Sequence, residues 1–80
     1  MWHVYIIECS DETLYTGITT DVDRRIEEHN TSLKGAKYTK GRGPVKLIYS
    51  CKIGDRAAAS KEEYRIKQLS RKEKLALVRG

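Results

Sequence analysis

Three short stretches of this chain carry apolar side chains in alternation or in a run, and three others carry them at helical spacing. The segment "WHVYIIEC", residues 2–9, is rich in β-branched and aromatic residues, and the "SDET" that follows is turn chemistry. Together with Leu14 to Ile18 it predicts a hairpin of two short strands. Thr20 followed three residues later by Asp23 resembles a helix cap, and Val22, Ile26 and His29 then recur at helical spacing, which predicts a first helix through Asn30. A loop rich in Gly and Lys over 31–43 leads through Pro44 into "VKLIYSCK", where Val45, Leu47, Tyr49 and Cys51 alternate as one face of a third strand. Gly54 and Asp55 open a second helix, running to about Leu69, with Ala59, Ile66 and Leu69 on a shared face. Ser70 as N-cap and Glu73 as its capping-box partner then begin a last short helix through "KLALV".

The order β-β-α-β-α-α has its hairpin first, which predicts an α+β fold: a small three-stranded antiparallel sheet flanked by helices, with the third strand beside the hairpin. The 80 residues read as a single domain spanning 1–80, with a core of aliphatic residues because Phe is absent and Trp occurs once. No stretch approaches the roughly 18 consecutive apolar residues of a membrane span. The N-terminus also lacks a basic region followed by an apolar run, so the expectation is a soluble, cytoplasmic protein with no membrane partner. Cys9 and Cys51 lie in separate apolar segments, without CxxC spacing or paired His ligands, which predicts two buried free thiols rather than a metal site or a disulfide.

Charge changes the picture more than composition does. Residues 1–33 hold two Lys/Arg against seven Asp/Glu, whereas residues 34–80 hold fourteen against four. The basic half is candidate footing for a polyanion. Lys34, Lys37, Lys40, Arg42 and Lys46 sit in a segment without an acid, among Gly35, Gly41 and Gly43, as a phosphate-contacting loop would. The plain alternative is a solvated basic loop.

Candidate chemistry gathers around "LYTGITTDVDRRIEEHN", residues 14–30. Period-2 geometry sets Tyr5 and Tyr15 on adjacent strands, and Gly17, placed where strand gives way to helix, allows a close backbone approach or an unusual φ. Arg25 and His29, at i and i+4, project from one helix face.

These residues resemble a known family. "HVY" at 3–5, "YTG" at 15–17, Arg25, His29 and a glutamate in "KEEYRIKQLSRKEKLAL" look like the GIY-YIG nuclease superfamily, in particular its small single-domain members, over Val4 to about Val78. The resemblance implies that Tyr5 and Tyr15 line an active site, that Gly17, Arg25 and His29 belong to it, and that Glu63, or its neighbour Glu62, holds a single divalent ion, Mg²⁺ or Mn²⁺. It implies an endonuclease hydrolysing DNA phosphodiester bonds. Structured DNA such as branches, flaps or ends is the expected partner, in repair or recombination, since no helix-turn-helix or zinc finger is evident for base readout.

The residue types suit that chemistry on their own terms. A guanidinium is planar and permanently charged, fitted to the oxygens where phosphoryl charge gathers. A hard cation favours a carboxylate and keeps several waters. Tyr5 or His29 can accept a proton from water. The chain departs from the pattern at His3, where the family has Gly, at Thr16, where it has Ile, and in holding Asn30 as its only Asn, where larger members use one near the domain end. Two further functions stand beside the nuclease: a non-catalytic nucleic-acid-binding module of the same fold, and an adaptor that engages a protein through Glu27 and Glu28 of the first helix.

Overall fold

Val4, Tyr5, Ile6 and Ile7 are all buried. Side chains of a strand alternate between faces, so a strand can bury four in succession only where both faces are covered. The computed structural model, which describes residues 1–31 and 44–79, shows why. The chain runs β1 (Trp2–Glu8), β2 (Leu14–Thr19), α1 (Val22–Thr31), β3 (Lys46–Gly54), α2 (Arg56–Lys67) and α3 (Arg71–Arg79). The sheet order is β2-β1-β3, with both pairings antiparallel, so β1 is the central strand.

Each face has its own core. Tyr5, Ile7, Cys9 and Val45 pack with Tyr15, Leu47 and Ile26 of α1, while Val4, Ile6 and Ile66 pack with Leu14, Ile18, Tyr49, Cys51 and Ile53, and with Leu77 and Val78 of α3. The sheet therefore separates α1 from α2 and α3. The antiparallel α+β architecture expected from the hydrophobic pattern is the observed one.

The third strand departs from its expected single face. Val45 and Leu47 belong to the α1-side core, but Tyr49 and Cys51 belong to the other. The register explains the switch: Ile7 pairs with Leu47 and Ile6 with Tyr49, so Ile48 is an extra residue and the alternation inverts there, as at a β-bulge. Pattern reading cannot see an inserted residue.

The helix caps divide in the same way. Asp55 Oδ1 accepts from the Ala58 N–H at 2.8 Å, and Ser70 and Glu73 exchange backbone N–H bonds of 2.9 and 3.2 Å, so α2 and α3 begin as expected. Ala59 and Ile66 are buried on the shared face of α2. α1 is capped by Asp21 rather than Thr20: its Oδ1 accepts from the Arg24 N–H at 3.1 Å, and Thr19 Oγ1 accepts from the Asp21 N–H at 3.2 Å. Gly17 lies inside β2, not at the strand-to-helix junction. Both thiols are free, Cys9 buried and Cys51 only half-buried. Tyr64 is 70% exposed because it points away from the Ala59–Ile66 face. Among the described residues no helix is long and apolar enough to cross a membrane.

Asn30 ties the end of α1 to the start of β3, its Oδ1 accepting from the Val45 N–H at 2.6 Å. Val45 is buried, so removing that acceptor strands a backbone donor away from water. Asn30→Ala is expected to cost about 1–3 kcal/mol in urea unfolding, and Asn30→Asp, which keeps the acceptor, to recover most of it.

Candidate active site

Helix α1 approaches the sheet through Ile26 and His29, which share its apolar stripe, and His29 is wholly buried. On β1, Tyr5 points to the same layer. Its hydroxyl meets His29 Nε2 at 2.9 Å, a bond between groups 24 residues apart that locks helix to strand. Tyr15 completes a triangle of rings, with centroids 6.5 Å from Tyr5 and 5.5 Å from His29, and Tyr5 and His29 at 5.9 Å.

Gly17 is the cross-strand partner of Tyr5. A Cβ added there would lie 2.5 Å from the Tyr5 hydroxyl oxygen and 2.7 Å from Cζ. Of the two sequence-derived reasons for a glycine, close approach is the operative one. The phenol lies in the space that any other residue would fill.

Arg25 and His29 do converge, as their spacing predicts. The Arg25 guanidinium donates to Glu28 Oε1 at 3.0 Å and also reaches the Tyr5 hydroxyl. Desolvation works against the charge on Arg25, yet the bonds to Glu28 and Tyr5 more than offset it and hold its pKa above the ordinary value. Burial, joined by the charge of Arg25, pulls His29 down to about 4. Burial pushes the Tyr5 phenol up, with the Arg25 hydrogen bond opposing and the charges of Tyr15 and Glu63 adding to it. At neutral pH the centre is thus a neutral imidazole bonded to a neutral phenol beside a fixed positive charge.

The two candidate glutamates of α2 serve different neighbours. Glu62 is gripped by Arg65 through two 2.7 Å bonds, which depress its pKa, and its charge is felt by Tyr49 on the α2 side of the sheet. Glu63 pairs loosely with Lys67 at 3.5 Å, and its charge reaches Tyr5. No group of three His, Cys, Asp or Glu capable of holding a metal occurs among the described residues. A lone, half-buried carboxylate fits a hard cation that keeps most of its water shell, and does not fit a site built wholly from protein ligands.

Lys34, Lys37, Lys40 and Arg42, with Tyr38 among them, lie outside the described residues. Lys46 pairs with Glu8, two residues from Ile6, and so belongs to the α2 side rather than the face of Tyr5. Sequence reasoning missed Glu28, treated there as a surface acid. It sits between Arg25 and Arg24, the latter at 3.6 Å, and holds the first in place. The Arg25–Glu28 spacing of i, i+3 was the available signal.

A family model described as the GIY-YIG catalytic domain matches residues 1–76. The chain is 59% identical to a UPF0213 protein of Desulfotalea psychrophila over 99% of this chain and 72% of that protein. It is 58% identical to a UPF0213 protein of Halobacterium salinarum, covering 96% of this chain and 99% of the other. The solution NMR structure of a UPF0213 protein from Bacillus halodurans, 52% identical, aligns with a TM-score of 0.61 over 98% of this chain and 83% of that one.

Two consequences of this geometry are measurable. Gly17→Ala must displace the Tyr5 ring; it is expected to cost about 1–3 kcal/mol, and to cost little when made in a Tyr5→Ala background. For His29, the unfolded chain binds a proton more readily than the folded one between pH 6.5 and about 4. Its contribution is therefore complete above 6.5 and lost as pH falls toward 4, up to about 3 kcal/mol across that window. Denaturant titrations over that range should slope downward with acid for the wild type and more gently for His29→Gln.

Proposed function

Because this chain belongs to the GIY-YIG catalytic domain family, whose fold suggests nuclease activity in general, we propose that it is a metal-dependent endonuclease hydrolysing DNA phosphodiester bonds. The observation that carries the reading is the buried Tyr5–His29 bond beside the charged Arg25.

In this reading Arg25, steadied by Glu28, takes the non-bridging oxygens of the scissile phosphate, where negative charge grows during attack. Tyr5 accepts the proton of the attacking water while passing its own to His29 across the 2.9 Å bond. A neutral His29 is required at the outset, and its low pKa supplies that. Burial is the main cause of that low value and the Arg25 charge the second; phosphate bound at Arg25 offsets the second, which moves the imidazole toward a better base as substrate arrives. Tyr15 packs the far side of both rings and keeps them in register. Glu63 is the residue suited to hold the divalent ion, which when bound would neutralise phosphate charge. The Arg65 grip on Glu62 supports Glu63 over its neighbour.

Every residue in these roles addresses phosphate or water rather than a base edge, which supports selection of DNA shape, at branches, flaps or ends, over sequence. Such substrates arise in repair and recombination. The basic segment of Lys34, Lys37, Lys40 and Arg42 is proposed to add phosphate contacts.

The burial of Tyr5 at 1% exposure and of His29 at 0% also supports a second reading, in which the pair is only structural and the domain binds nucleic acid without cutting it. Mg²⁺-dependent cleavage of end-labelled duplex, flap, branched and single-stranded DNA separates the two. Wild type should cut; Tyr5→Phe, Arg25→Ala and Glu63→Ala should each lose about 100-fold or more, while Glu62→Ala should retain activity. DNA bound at low salt but never cut by wild type would establish the binding module instead.

A further inference from the structure

The open end of the α1-side sheet face carries polar residues that neither the aromatic centre nor its proposed chemistry uses. Beyond the irregularity at Ile48 the third strand places Tyr49, Cys51 and Ile53 in the α2-side core, so the residues between them, Ser50 and Lys52, turn to the face of Tyr5. The pairing agrees: Ser50 lies across from Tyr5, and Lys52 across from His3. Both are exposed, so α1, which covers the Ile7–Leu47 end of this face, leaves this end uncovered. His3, half-buried on the same face, has a buried Nδ1 without a hydrogen-bond partner.

Lys52 is also the cation on β3 that faces this way, since Lys46 faces Glu8 on the other side. Arg24, Arg25, Arg65, Lys67 and Arg71 are each paired with a carboxylate, and Arg56 stands over the Trp2 ring. None of the carboxylates in those ion pairs is bonded to Lys52. From the spacing of adjacent strands, its Cα lies about 8 Å from that of Tyr5, and its flexible stem adds reach outward.

We infer that Ser50 and Lys52, on the uncovered face of β3 across from Tyr5 and His3, form a second phosphate subsite for the nucleic-acid strand whose scissile phosphate sits at Arg25. The inference rests on the nuclease reading for its substrate. The strand would cross the sheet from α1 toward β3, with Lys52 and the Ser50 hydroxyl on a phosphate one or two nucleotides from the cleaved bond. A lysine at such a position contributes affinity and register and leaves the proton path alone.

The test separates binding from cutting. Anisotropy of a fluorescein-labelled flap DNA, measured without divalent metal across a KCl series, reads the number of phosphate contacts from the slope of log Kobs against log[salt]. Lys52→Ala is expected to weaken binding several-fold and to reduce that slope by about 0.7–0.9, one contact. Lys52→Glu should weaken it further, Ser50→Ala should weaken it slightly at constant slope, and Lys46→Ala on the opposite face should leave the slope unchanged. In cleavage, Lys52→Ala should raise KM and preserve kcat. An unchanged slope in both Lys52 variants overturns the subsite, as does an equal fall in Lys46→Ala, which would mean diffuse attraction to the whole surface. A slope reduced by Lys52→Ala in a wild type that never cuts would keep the subsite and remove the nuclease; cleavage by wild type with an unaltered slope would do the reverse, and absence of binding at low salt would remove both.

Discussion

A phenol and an imidazole have been taken out of water together in this protein, and the rest of the site depends on how they satisfy one another. Either group buried alone would leave a polar atom unpaired, at a cost of about 1–3 kcal/mol. Paired at 2.9 Å they instead pin α1 to the central strand. The bond exists only because residue 17, directly across β2, offers no Cβ to the ring. Three segments distant in sequence are thereby coupled, and the coupling is steric before it is chemical. The same burial that makes the pair structurally costly displaces their proton affinities in opposite directions, the phenol upward and the imidazole downward. Packing and acid-base character here have one cause.

The central position of β1 extends that logic to the whole sheet. With one face against α1 and the other against α2 and α3, its middle residues, Val4 to Ile7, have no solvent-facing side to occupy. Accessible chemistry must come from elements around it: Arg25 from the partly covered flank of α1, Glu63 from α2, and the polar residues of β3 past the point where α1 ceases to cover the sheet. Where the extra residue at Ile48 sits decides which residues those are. Without it, Lys46 and Lys52 would share a face.

Much of this was legible in the chain because period and capping are local. The β-branched and aromatic runs of β1 and β2, the Asp55 cap and the Ser70–Glu73 box each need only a few neighbouring residues to act, and each is found as expected. His29 was legible twice over, as an i+4 partner of Arg25 and as the third member of the stripe Val22, Ile26, His29; the second fact is why it is buried. The inverted alternation in β3 was not legible, since an inserted residue shows itself only against the strand it pairs with. Nor was the reach of the Glu63 charge to Tyr5, which is a tertiary fact, whereas the Arg65 grip on its neighbour Glu62 is an i, i+3 contact that the sequence did offer. The role of Gly17 was narrowed to two options by sequence and decided by one distance.

The remaining tension lies between burial and chemistry. Arg25 and Glu63 retain about a quarter of their side-chain exposure, 26% and 24%, whereas Tyr5 and His29 retain essentially none. On the proposed reading a substrate would meet the charges directly and the neutral pair through the Tyr5 hydroxyl, at the point where Arg25 reaches it. That arrangement suits a relay better than a lone base: the atom that touches water need not be the atom that keeps the proton, and the keeper is shielded from the titration that would disable it near neutrality. It also explains why the low pKa of His29 does not argue against a basic role. Burial is the larger cause of the value of about 4 and the charge of Arg25, already paired with Glu28, the smaller, so on the proposed reading a phosphate anion would relieve the second cause only. The arginine bears on both readings of the pair: its bond to the Tyr5 hydroxyl tightens the lock, while its charge lowers the imidazole's proton affinity and keeps it neutral.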